Sequence, residues 1–103
     1  MRHKYNAVPT EADGQKFDSK AEARFYHRLC ELKRMGLVIQ FLRQVPFHLP
    51  GGVKYVCDFM VFEEGGVVRF IDVKGMDTAM SKAKRKMVAD LYAPITIEVV
   101  TDV

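Results

Sequence analysis

Residues 53–75 read VKYVCDFMVFEEGGVVRFIDVKG. Two apolar runs, Val53–Phe62 and Val67–Val73, flank the turn signal Glu64-Gly65-Gly66. Both runs are apolar on alternating positions of either parity, so each reads as a central strand covered on both sides. A three-residue loop at Glu64–Gly66 pairs Glu63 with Val67. Counting back along the antiparallel ladder sets Asp58 opposite Asp72, to within about one residue. Asp58 has Val56 and Met60 on its face, and Asp72 has Phe70 and Lys74. A buried unpaired carboxylate is expensive. Cross-strand neighbours have Cβ atoms roughly 4.5–5.5 Å apart, so these two carboxylates repel unless a proton or a cation sits between them. Magnesium answers that chemistry, because it takes carboxylate oxygens and keeps its remaining waters for substrate.

Working outward, a helix is predicted from about Lys20 to Met35, with Ser19 as N-cap and Gly36 as its stop. Phe25, Tyr26, Leu29 and Leu32 recur at helical spacing, and Glu22 falls within the same stripe. A glutamate at the centre of that face points at the sheet. The rival reading is a capping box, since Ser19-x-x-Glu22 has its spacing. A strand over Leu37–Leu42, able to continue past Pro46 to Leu49, leads into the Pro50-Gly51-Gly52 turn. A second helix is predicted over about Thr78–Tyr92, with Met80, Ala83, Met87 and Leu91 as its apolar stripe and Pro94 as its end. Ile95–Val100 makes a last strand. Before all of these, residues 1–18 read as an arm opening with Arg2, His3 and Lys4, then a small hairpin turning at Asp13-Gly14. The order helix, three strands, helix, strand predicts an α/β fold: an antiparallel meander extended by a parallel crossover, with a helix on each face of a mixed sheet.

Lys74 follows Asp72 by two and emerges on its face. A lysine there can hold a water for attack and stabilise developing negative charge; an ordinary Asp–Lys ion pair at a strand end is the alternative. Gly75 gives a phosphate backbone room to approach, or is a turn glycine. Lys82, Arg85 and Lys86 share the side of the second helix opposite Met80 and Met87, as a solvated face or as phosphate contacts. Gln44 is within reach of the site from the first long strand.

The chain has 103 residues and a net charge of +3 from 16 basic and 13 acidic residues. That is enough for one compact domain, and the charge alone does not select a nucleic-acid partner. Cys30 and Cys57 lie inside apolar patterns without zinc-type spacing and are expected as reduced thiols. No secretory h-region and no membrane-length apolar run occurs, so a cytoplasmic protein is expected. Neither a recognition helix nor an aromatic RNA-stacking motif is present, so recognition by backbone shape is expected rather than base reading.

Glu22, Asp58 and the run Ile71-Asp72-Val73-Lys74-Gly75, on this order of elements, resemble the PD-(D/E)XK nuclease superfamily over residues 19–100. Lys4-Tyr5, residues 17–23 and Gln44-Val45-Pro46 further resemble small phage-type Holliday-junction resolving endonucleases and related phage-encoded domains of unassigned function. Cys57 stands where the superfamily name has proline. The resemblance implies a restriction-endonuclease-like core over residues 19–103. It also implies a magnesium-dependent endonuclease, with manganese able to substitute, acting in the cytoplasm of a bacterial host. Asp58, Asp72 and the Val73 carbonyl would bind the metal, Glu22 would complete or support the site, and Lys74 would act on the attacking water. Gly75, Lys82, Arg85, Lys86 and Gln44 are the expected DNA contacts. Branched DNA is the expected substrate and a homodimer the expected assembly, since a four-way junction takes two cuts. The alternatives are a nuclease for flaps, ends or plain duplex, and a non-cleaving DNA-binding accessory protein.

Overall fold

The structure, a computed structural model, describes residues 10–101; the arm of Arg2, His3, Lys4 and Tyr5 lies outside them. Strands β1 (Thr10–Ala12) and β2 (Gln15–Phe17) form a hairpin. Asp13 and Gly14 turn it, both with positive φ (50° and 73°), the backbone that an Asp-Gly pair tolerates. Helix α1 spans Lys20–Arg34. The Ser19 hydroxyl accepts from the Glu22 amide at 3.1 Å, which caps its start. Gly36, at φ 82°, takes the left-handed position after its end.

Strand β3 runs unbroken over Val38–Leu49, and one turn of 3-10 helix at Pro50–Gly52 leads into β4 (Val53–Glu63). Strand β5 is Val68–Val73, helix α2 is Ala79–Leu91 and strand β6 is Ile97–Val100. The four long strands form one sheet in the order β3-β4-β5-β6. The first three are antiparallel and β6 lies parallel to β5. This is the mixed α/β sheet expected from the order of elements.

Two apolar clusters hold the sheet. Ala23, Tyr26 and Leu29 of α1 pack with Phe17, Phe59, Val61, Ile71 and Val73. Val88 of α2 packs with Phe47, Leu49, Tyr55, Cys57 and Phe70. Phe70 and Ile71 are consecutive in β5 and therefore face opposite ways, so the helices cover opposite faces. The hairpin is tied to the first cluster through buried Phe17.

Helix α2 corrects one expectation. Met80, Ala83, Met87 and Leu91 are all exposed, and Val88 is the residue α2 buries. An intervening ion pair explains the rotation. Arg85 donates to Asp77 at 2.9 Å and is held on the inner side, so the methionines turn outward. Apolar periodicity identifies a helix but not which of its faces meets the sheet when long basic side chains also carry apolar stems.

Candidate active site

The β4–β5 ladder begins as expected: the Glu63 amide donates to the Val67 carbonyl at 2.8 Å, and Phe59 pairs with Ile71. One further step brings Asp58 against Asp72. Here side chains take over from the backbone. The Asp58 amide donates to Asp72 Oδ1 at 2.7 Å, and the Val73 amide donates to Asp58 Oδ2 at 2.9 Å. Each carboxylate thus satisfies an amide of the adjoining strand that would otherwise be buried without a partner. Both residues are almost wholly buried, at 3% and 0% exposure.

A change of face marks the same level in the sheet. Tyr55 and Cys57 point into the α2 cluster, whereas Phe59 and Val61 point into the α1 cluster. Regular alternation would keep all four on one side. In β3, Val45 packs on the α2 side and Phe41 on the α1 side. The pairs Arg43–Phe59 and Val45–Cys57 keep one register and bracket the change of face, which falls on Gln44 and Asp58. Gln44 sits at φ 56°, a backbone rarely adopted by residues with a side chain. Val56 and Met60 are therefore not simple face-mates of Asp58, because the strand twists over at this residue.

Lys74 is also buried, with Nζ 3.7 Å from Asp72 Oδ2. Its amide donates to the Val100 carbonyl at 2.9 Å, which fixes its backbone to β6. The ring of Tyr55 lies 5.8 Å from Nζ, and the Tyr55 hydroxyl makes no hydrogen bond among the described residues. Glu22 is wholly buried; its Oε2 accepts from Arg43 at 3.3 Å and from Gln44 at 3.2 Å. The bracketing pairs put Gln44 next to Asp58 on the neighbouring strand. A row therefore crosses the sheet: Glu22, Gln44, Asp58, Asp72, Lys74.

Among the described residues, no three His, Cys, Asp or Glu side chains form a group able to hold a metal. Asp58 and Asp72 meet across the β4–β5 ladder, and Glu22 lies beside Gln44 and Arg43. The central donors still fit a hard cation. Two carboxylates on adjoining strands supply oxygen only, and magnesium is commonly held by one or two carboxylates plus substrate phosphate.

The expected DNA contacts fall into two groups. Lys82 and Lys86 are exposed on α2 and Gly75 is exposed before it, where an added Cβ would meet open space. Arg85 is engaged with Asp77, whose carboxyl is held below its ordinary range chiefly by that hydrogen bond. Arg43 and Tyr55 join the site without having been singled out from sequence. Arg43 directly precedes Gln44, which is its one sequence signal. Tyr55 reads as ordinary strand aromatic.

No helix of the described residues is long and apolar enough to cross a membrane. No curated protein matches the chain. A family model matches almost its full length: over residues 2–102 the chain belongs to the family described as "Protein of unknown function (DUF1064)".

Proposed function

We propose that the protein is a metal-dependent endonuclease with a restriction-endonuclease-like core, hydrolysing phosphodiester bonds of DNA. The observation that carries this reading is the reciprocal clasp of Asp58 and Asp72 with Lys74 beside it. Two nearly fully buried acids and an amine at the fork of two strands are costly to maintain for stability alone. Clusters of buried ionisable groups of this kind concentrate at functional sites. The resemblance to PD-(D/E)XK nucleases supports the same conclusion over the same residues.

In this reading Asp58, Asp72 and the Val73 carbonyl would hold magnesium. When bound, the ion supplies Lewis acidity and a template for the scissile phosphate. The chain's own groups do the rest. Lys74 orients the attacking water and stabilises negative charge gathering on the phosphoryl oxygens. Glu22 holds Gln44 and Arg43 in place beside Asp58, and Arg43 brings positive charge to that end of the row. Tyr55 offers a hydroxyl next to Lys74. Lys82, Lys86 and the open backbone at Gly75 meet phosphates flanking the cut. The products are a 5′-phosphate and a 3′-hydroxyl. Branched DNA is the preferred substrate, and a homodimer supplies the two cuts a junction takes.

The test is cleavage of a labelled four-way junction in magnesium, run beside flap and plain duplex, by wild type and Lys74→Ala. The reading expects cleavage by wild type and a loss of roughly 100-fold or more in the variant. Equal rates remove Lys74 from the mechanism. Faster cutting of flap or duplex reassigns the substrate. Binding without cleavage in magnesium or manganese leaves a DNA-binding protein only.

A further inference from the structure

A groove of about 700 Å³ lies between the C-terminal half of α1 and the open edge of the sheet at β3. Lys33, Arg34 and Arg43 bring three cations to it, and Tyr26 and Phe41 supply its aromatic wall. Gln40 lines it as well and accepts from Lys33 Nζ at 3.0 Å. No acidic side chain is among the described residues that line it, and Asp13 lies behind the wall, bonded to the Tyr26 hydroxyl. Glu31, beside it on α1, is paired with Arg34. The Tyr26 hydroxyl stays protonated, with its pKa pushed up to about 12, first by burial and then by Cys30 and Asp13. Tyr26 itself therefore adds no negative charge at neutral pH.

The groove is continuous with the candidate site. Arg43 lines one end and donates to Glu22, and Glu22 to Lys33 is eleven residues of helix, about 16 Å. We infer that this crevice binds one nucleic-acid strand leading to or from the scissile phosphate, its phosphates on Lys33 and Arg34 and a base against the Phe41 side of the aromatic wall. Cations beside aromatic side chains are the chemistry that binds single strands without reading sequence. A neutral or cationic ligand leaves Lys33, which among the described residues is bonded only to the neutral Gln40, uncompensated, and a purely polar one wastes the aromatic wall. The inference rests on the phosphodiesterase reading for its direction, but not for its test.

Binding is measured by fluorescence anisotropy with a short labelled oligothymidylate in EDTA, where no metal-dependent cleavage occurs. Lys33→Glu and Arg34→Glu are each expected to weaken binding about tenfold and to lower the slope of log K against log salt by about one. Lys54→Glu, an equal charge change on an exposed β4 position outside the groove, provides the control. Cys30 also lines the groove, and Cys57 is fully buried. Bound oligothymidylate is therefore expected to slow thiol labelling of Cys30. Unchanged affinity in both groove variants, an equal loss in Lys54→Glu, or undiminished Cys30 labelling overturns the inference. Duplex binding with the same dependence on Lys33 and Arg34 overturns the assignment to a single strand. If oligothymidylate binds as expected but nothing is cut in magnesium, the hydrolytic reading fails and the groove stands.

Discussion

Cys57 and Cys30 differ sharply in what their surroundings permit. Cys57 has no exposed surface, and burial pushes its thiol up to about 11, so almost no thiolate forms at pH 8. Cys30 is half-buried on α1. One thiol per chain is expected to react with a disulfide reagent under native conditions and two after denaturation; two fast native thiols would contradict the burial. Tyr55 permits a second prediction. Its enclosed hydroxyl lacks a hydrogen-bond partner among the described residues, so Tyr55→Phe is expected to leave stability unchanged or raise it by about 1 kcal/mol. A fall in cleavage rate in that variant, without a fall in melting temperature, would assign the hydroxyl to substrate. The acids at 58 and 72 were legible in sequence, because two carboxylates inside apolar strands violate the ordinary cost of burial. Arg43 was not, because a basic residue in an edge strand has many unremarkable places to point.

Among the elements, α2 shows where periodicity stops being informative. The helix limits and the Thr78 cap follow from local signals, with the Thr78 hydroxyl accepting from Ser81 at 3.0 Å. Its orientation was set instead by an ion pair and by Val88, neither of which stands out in a stripe of methionines. Val88→Ala is expected to cost about 2 kcal/mol, and Met80→Gln less than about 0.5 kcal/mol, as read by urea unfolding. The reverse ranking would put the methionine stripe back against the sheet. The Asp77–Arg85 pair adds a pH dependence. Asp77 has its folded pKa below the ordinary value of 3.8, so its contribution is complete above about pH 4 and is lost as pH falls through the lower folded value. Asp77→Asn is expected to lower the melting temperature at pH 7 and to flatten its decline below pH 4. A wild-type decline that the substitution does not alter would assign acid sensitivity elsewhere. Glu98, held down chiefly by Arg69, titrates in the same direction and is the natural second site.

For the molecule as a whole, the sheet order was readable because three sequential strands and one helical crossover leave few connections. The register was readable because Glu64–Gly66 allows one short loop. The change of face at Gln44 and Asp58 was not readable, since a left-handed glutamine has no sequence signature comparable to Gly36. That change of face separates the two apolar clusters along the β3–β4 ribbon. Paired substitutions across it, such as Leu29→Ala with Val88→Ala, are expected to add within about 0.5 kcal/mol in denaturant unfolding. A larger coupling would show that the clusters act as one.

The reciprocal clasp at the fork of β4 and β5 also gives the protein an internal reporter. Two peptide protons, those of Asp58 and Val73, are held by side-chain carboxyl oxygens rather than by backbone carbonyls. Their resonance positions and exchange rates register any event that redistributes charge between those acids, including protonation, ion capture or arrival of a phosphate. A pair of backbone signals can thus follow occupancy of the centre in solution, with no chromophore, no turnover and no foreknowledge of the ligand.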